Sequence, residues 1–443
     1  MDRIVFRVTL FLFLCVFVAT ADTAPALPDL EQVVRLGPGW TGELAAQVAQ
    51  SYAGWDVEIG DADNDGRNEI LTTGCPDSCL HLFKKTPEGA WTTTLLAKNL
   101  AEHTPGMGLS VRVADLNGDG RNEMVLGTGQ EGAGTAFFYV LATDGKTLTR
   151  RTACRPEHCN SSGYTHSFGI HDLDGDGLKE VLAAYCGGGE IIRYDVDAAL
   201  DRVDARKIHH LSGSGEETIL ADVDNEGALE LIVANGFRPG AARAEIFEFD
   251  PQGELTTEPR LVVEGYEGNP CFYVSILVGD VDSDGKNEMV LGWKKEQKTN
   301  LATLIVYRVG EAVEPVYVFE KDTPDLDMAY FEKMMTVADL DKDGRNELFV
   351  STRGDHASEF ITSEHLGHVF RYEIQQNGAV TRELVADFNA DYAESSWLAV
   401  GDADNDGIDD LVLATGKGDR TLPGVSYVIV LHEHGVREKR AAN

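Results

Sequence analysis

Residues 61–69 read DADNDGRNE, and the pattern returns six times: DLNGDGRNE from Asp115, DLDGDGLKE from Asp172, DVDNEGALE from Asp222, DVDSDGKNE from Asp280, DLDKDGRNE from Asp339 and DADNDGIDD from Asp402. The steps between first residues are 54, 57, 50, 58, 59 and 63. Such a period marks a repeat architecture, in which one supersecondary unit recurs and is buried against its neighbours. Each copy puts oxygen-bearing side chains at positions 1, 3 and 5, Gly at 6 and a carboxylate at 9. Hard oxygen ligands at this density suit Ca2+, and the Gly permits the sharp turn that wraps a chain around an ion. Without a cation the carboxylates of one loop repel one another.

A helix-loop-helix calcium hand needs a bidentate Glu at position 12 and flanking helices. Position 12 is Thr72, Leu126, Ala183, Val233, Leu291, Val350 and Leu413. The loops are followed instead by apolar runs such as Met124-Val125-Leu126 and Leu348-Phe349-Val350. The residue two before each first Asp is also aliphatic, from Ile59 and Val113 to Val400. Each loop is therefore expected to join two buried strands. Further strands follow in most repeats, as at Leu80–Phe83, Ala136–Val140 and Glu190–Tyr194. Four antiparallel strands recurring seven times predict an all-β fold, a seven-bladed β-propeller. After the last third strand, Val425 to Leu431, only about a dozen residues remain, too few for a turn and a well-paired strand. Residues Glu31 to Leu36 resemble a fourth strand, so an N-terminal strand is expected to complete the last blade and close the ring.

The seven loops, each between two apolar strands, resemble those of the FG-GAP/VCBS repeat family, known from the propeller heads of integrin α subunits. The resemblance extends over nearly all of residues 22–443. It implies calcium held by the side chains at positions 1, 3, 5 and 9 with the backbone carbonyl of position 7, and ligand binding on the opposite face. In this sequence those positions are Asp61, Asp63, Asp65, Arg67 and Glu69 in loop one, and Asp115, Asn117, Asp119, Arg121 and Glu123 in loop two. Loop three offers Asp172, Asp174, Asp176, Leu178 and Glu180, and loop four Asp222, Asp224, Glu226, Ala228 and Glu230. Loop five has Asp280, Asp282, Asp284, Lys286 and Glu288, and loop six Asp339, Asp341, Asp343, Arg345 and Glu347. Loop seven closes the series with Asp402, Asp404, Asp406, Ile408 and Asp410. Up to seven Ca2+ ions are implied. Position 9, usually Asp in the family, is Glu in six loops, and Glu226 stands for Asp at position 5 of loop four, which makes that site the expected weakest.

The loops hold 28 of the 74 acidic residues, against 38 Lys and Arg, in a 443-residue chain of formal charge -36. Seven Ca2+ would leave -22, which excludes binding to nucleic acid by phosphate neutralisation and disfavours anionic membranes. Arg3 and Arg7 flank a short apolar stretch, Val8 to Val18, followed by Ala19-Thr20-Ala21. Residues 1–21 thus read as a secretory signal peptide, with an uncleaved anchor as the rival reading, and the remainder as one exported propeller domain, expected to be a monomer. Export permits disulfides among Cys75, Cys79, Cys154, Cys159, Cys186 and Cys271. Cys75 with Cys79, Cys154 with Cys159 and Cys186 with Cys271 is the preferred set of the fifteen pairings open to six cysteines. Zinc held with His81 or His158 is the alternative, although the spacings match no common zinc pattern.

The face opposite the acidic loops offers His166, Tyr185, Asn235, Trp293, Arg353, His356 and Trp397 as candidate ligand contacts. Aromatic rings beside polar groups could hold a sugar or a protein side chain, while the plain alternative is a solvated rim with partly buried aromatics. Gly127-Thr128-Gly129-Gln130-Glu131-Gly132 matches a dinucleotide pattern but precedes a strand-like run instead of a helix. Gly145-Lys146-Thr147 lacks the earlier glycine of a phosphate loop, Arg353-Gly354-Asp355 is an easily repeated tripeptide, and Asn160 opens a glycosylation sequon. The sequence thus favours a secreted calcium-binding module, without enzymatic activity, for extracellular protein or carbohydrate. The alternatives are a lyase or dehydratase acting on polysaccharide, with His166, Tyr185, Arg353 and His356 as its acid–base candidates, and a scaffold role in a larger assembly.

Overall fold

The computed structural model describes residues 27–48, 51–75, 77–100, 107–129, 136–154, 165–186, 188–236, 242–268, 270–294, 302–323, 334–352, 367–389, 395–417 and 425–433. Seven antiparallel sheets stand in a ring, as the repeats predicted. Blades one to five occupy residues 51–97, 107–154, 169–210, 214–264 and 273–323, each with its four strands in chain order. Blades six and seven occupy 335–388 and 395–433, and each recruits a strand from the N-terminal region. Among the described residues no helix is long and apolar enough to cross a membrane.

The apolar runs after the acidic loops are continuous because both faces of each sheet are covered. Along Glu230–Gly236, Leu231 and Val233 face blade three while Ile232 and Ala234 face blade five. The same alternation divides Leu411 and Leu413 from Val412 and Ala414 in blade seven. The core is therefore seven seams, each built from two neighbouring blades, and the seam between blades seven and one completes the circle.

An N-terminal strand closes blade seven, as expected, but it is Trp40–Val48 rather than residues 31–36. It pairs antiparallel with Val425–Glu433, from Trp40 opposite Glu433 to Val48 opposite Ser426. Residues Leu30–Val33 form a helical turn, in which the Asp29 N–H donates to Gln32 Oε1 at 3.0 Å. Val34–Leu36 then adds a fifth strand to blade six, opposite Ala386–Phe388. The true closing strand is poor in strand formers, with Gly42, Ala45 and Ala46. A Cβ at Gly42 would stand 2.9 Å from the Val430 carbonyl oxygen, so the position needs glycine for a close approach.

Among the described residues no disulfide is found. The expected Cys186–Cys271 pair does not form, because the two cysteines lie in different seams: Cys186 Sγ accepts a hydrogen bond from Ser214 Oγ at 3.3 Å, while Cys271 packs with Tyr266 and Trp293. The other two expected pairs involve Cys75 and Cys159, whose side chains lie outside the described residues. His81 is buried and stacks on Phe83; His158, Asn160 and residues 353–355 also fall outside.

Candidate metal loops and the opposite end of the ring

In all seven loops the first Asp anchors the turn. Its Oδ2 accepts the N–H of the position-6 glycine, from Gly66 on Asp61 at 2.9 Å to Gly407 on Asp402 at 2.9 Å. The glycines sit at φ of 83° to 91°, where a side chain is strained. The position-5 carboxylate accepts the position-7 N–H in six loops, as in Arg67 on Asp65 at 3.1 Å. Loop four lacks this bond among its described residues, in keeping with the longer Glu226 side chain.

Glutamate at position 9 has a structural reason. Its extra methylene carries Oε2 back to the N–H of position 2, from Ala62 on Glu69 at 3.0 Å to Leu340 on Glu347 at 3.2 Å, in all six loops that have it. Asp410 in loop seven instead pairs with His432 Nδ1 at 2.6 Å. Burial pushes the six position-9 glutamates upward, Glu230 to about 6 and Glu288 and Glu347 to about 7.

One oxygen from each of Asp61, Asp63, Asp65 and Glu69 lies within 4.8 Å of the others, as do those of Asp339, Asp341, Asp343 and Glu347, and of Asp172, Asp174 and Glu180. Oxygens about 2.3–2.6 Å from one Ca2+ stand at most about 5 Å apart, so the donor sets fit such an ion. The same carboxylates also meet side-chain cations. Lys84 Nζ stands 2.8, 2.6 and 2.8 Å from Asp63, Asp65 and Glu69. Arg371 reaches Asp341 at 2.6 Å and Glu347 at 3.1 Å, and Arg308 reaches Asp282 and Asp284 at 3.0 Å each. Loop two pairs with no Lys or Arg among the described residues.

Adjacent loops are also clasped to one another, a feature the sequence reading missed. Position 4 has positive φ in every loop: Asn64, Gly118, Gly175, Asn225, Ser283, Lys342 and Asn405. From there the Asn64 side chain takes the Asn122 N–H on Oδ1 at 2.6 Å and donates to the Asn122 carbonyl at 3.0 Å. Asn405 holds Asn68, and Asn225 holds Asn287, in the same way. Ser283 Oγ accepts the Asn346 N–H at 2.7 Å, and Lys342 pairs with Asp409 at 2.8 Å. Gly118 has no side chain to contribute, and there the Lys179 N–H meets the Leu116 carbonyl at 2.8 Å. No equivalent clasp joins loops three and four among the described residues, because Gly175 has no side chain to offer.

First strands run into the acidic loops and second strands out of them, so first-strand starts and second-strand ends share the other end of the ring. Every described ligand candidate is there and is buried. His166 and Trp397 are 2% exposed, Tyr185 1%, and Asn235 and Trp293 0%. The Tyr185 and Tyr194 hydroxyls are hydrogen-bonded to each other, and Trp293 and Trp397 are core residues of two different seams. Arg353 and His356 lie outside the described residues, so of the four acid–base candidates two are buried and two are not described.

At this end polar side chains on the first strands cap the next blade's inner edge, where a first strand has no sheet partner. Asp56 Oδ2 accepts the Val111 N–H at 2.9 Å and Arg112 Nη1 at 2.6 Å; Glu217 Oε2 accepts the Ile276 N–H at 2.7 Å. One residue before Glu217, Glu216 stands beside His166, with Oε2 3.7 Å from Nε2. Burial decides the charge of both, pushing Glu216 up to about 7 and His166 down to about 3.

In comparisons with known proteins, the chain matches no family model, and no curated protein is similar enough in sequence to count as a relative.

Proposed function

We propose that this propeller is an exported FG-GAP/VCBS-type protein rigidified by calcium in its acidic loops, serving as a non-enzymatic binding or adhesion module for extracellular protein or carbohydrate. The observation that carries the reading is the sevenfold loop. In loops one and six the carboxylates of positions 1, 3, 5 and 9, and in loop three those of positions 1, 3 and 9, lie at spacings one Ca2+ can bridge, on a turn whose first-Asp hydrogen bond recurs in all seven loops. Bound there, the ion would be held by those carboxylates and the position-7 carbonyl. It would supply positive charge that replaces the Lys84, Arg308 and Arg371 contacts and locks each first strand to its second.

Recognition is assigned to the end opposite the loops, where the connections between blades begin and end. The described aromatics there are core, so contact with a partner falls to the connecting segments rather than to Tyr185, Trp293 or Trp397. The test is retention of glycans on an array and of cell-surface proteins on immobilised full-length protein, with Ca2+ and with chelator. Calcium-dependent retention of a defined ligand class is the expected result. No calcium uptake by calorimetry, or no retention of either class, would overturn the proposal.

A further inference from the structure

His166, Cys186 and Glu216 form a cluster on the seam between blades three and four, far in the fold from the acidic loops. His166 lies just before the first strand of blade three, Gly169–His171; Cys186 lies just after its second strand, Glu180–Ala184; Glu216 lies at the start of Ser214–Ala221 in blade four. One ring nitrogen, the sulfur and one carboxylate oxygen all lie within 4.8 Å of one another. The three residues are 2%, 7% and 1% exposed. Neither oxygen of Glu216 accepts a hydrogen bond of normal geometry among the described residues, although the Ser214 hydroxyl and the Cys186 thiol stand close to it, and an under-satisfied buried carboxyl is costly.

We propose that this cluster binds one divalent transition-metal ion of the zinc type, through a His166 ring nitrogen, Cys186 Sγ and a Glu216 oxygen. One nitrogen, one sulfur and one oxygen make a donor set for Zn2+ or Co2+, whereas Ca2+ takes oxygen alone. Metal–ligand lengths of about 2.0–2.2 Å place a tetrahedral nitrogen and oxygen about 3.3–3.5 Å apart, so the Glu216–His166 separation of 3.7 Å needs to close by only a few tenths of an ångström. Ser214 Oγ, donating to Cys186 at 3.3 Å, would hold the sulfur as a thiolate ligand and leaves a fourth position for water. Binding releases the thiol proton to solvent. The metal would join two blades at the seam where the acidic loops have no clasp.

The experiment uses the full chain under reducing conditions in saturating Ca2+, which occupies any oxygen-only site. Titration with Co2+ is expected to give a thiolate-to-cobalt absorption band in the near ultraviolet that saturates at one equivalent and is bleached by Zn2+. Cys186→Ser should abolish the band with the calcium isotherm unchanged, and Glu216→Gln should weaken Co2+ binding by tenfold or more. Absence of the band in the wild-type protein, whatever the variants do, overturns the proposal. So does a band of undiminished intensity in Cys186→Ser, which would place the metal on another cysteine. Because the Ca2+ isotherm is read separately, failure of the acidic-loop reading and failure of this site are distinguishable.

Discussion

Replacing Asn64 by glycine isolates the clasp between loops one and two. The side chain makes two hydrogen bonds across the blade boundary, accepting the Asn122 N–H at 2.6 Å and donating to the Asn122 carbonyl at 3.0 Å. At about 0.5–1.5 kcal/mol each, their loss costs about 1–3 kcal/mol. Glycine sits easily at the native φ of 60° but gains freedom when unfolded, and these effects oppose each other at about 1 kcal/mol apiece. The net expectation is therefore about 1–3 kcal/mol of destabilisation. The converse change is Gly175→Asn: φ there is 77°, a Cβ meets nothing within 4 Å, and Leu229 is the position-8 residue of the next loop, as Asn122 is for Asn64. Installing the missing clasp should raise stability by about 1–2 kcal/mol. Both are read by urea unfolding followed through tryptophan fluorescence in saturating calcium. An Asn64→Gly protein within about 0.5 kcal/mol of wild type at an unchanged slope would refute the clasp as a stabilising contact.

Chelation should lower the melting temperature strongly, since a loop held at a hundredfold excess of calcium over its Kd contributes about 2.7 kcal/mol; a melting curve indifferent to chelator counts against metal in the loops. Lys84→Met removes the ammonium from among Asp63, Asp65 and Glu69, and calorimetry should find loop one binding calcium about tenfold more tightly while the chelated protein melts lower. Glu226→Asp should restore the position-5 bond absent from loop four, so a calcium isotherm that keeps the same weakest step would contradict the account of that loop. Burial pushes His81 down to about 4 from 6.5, so its contribution is complete above pH 6.5 and is lost as pH falls through 4. His81→Leu should remove up to about 3 kcal/mol of the acid sensitivity between those values, measured as the difference in urea stability at pH 7.5 and 4.5.

The blade count and the two strands beside each loop were legible because loop chemistry and strand burial repeat in register with the chain. Position 9 read as a ligand, yet the reason for Glu over Asp required the position-2 N–H, which only the folded turn brings into reach. The clasp was also written in the sequence, as Asn at position 4 of loops one, four and seven and at position 8 of loops one, two, five and six. Sequence alone does not show it as a clasp, because its partners lie one repeat away. His166 and Glu216 occupy the same place in successive repeats, six residues before the first Asp, so that only their neighbourhood in space gives them meaning. Tyr185, Trp293 and Trp397 read as ligand contacts in the sequence because sequence cannot say which end of a strand lies beneath its neighbours. The closing strand was missed because two short segments compete near the N-terminus, and the one richer in β-branched residues serves as an accessory edge.

Synthesis delivers residues 40–48 long before residues 425–433, their only sheet partner among the described residues, so six blades can stand assembled while the circle gapes. Joining the two needs both ends of the chain, and it stitches head to tail without a covalent bond. Until then the unfinished seventh sheet could also accept the same nine residues from another copy, and crowded nascent chains have in that segment a direct route to exchanged dimers.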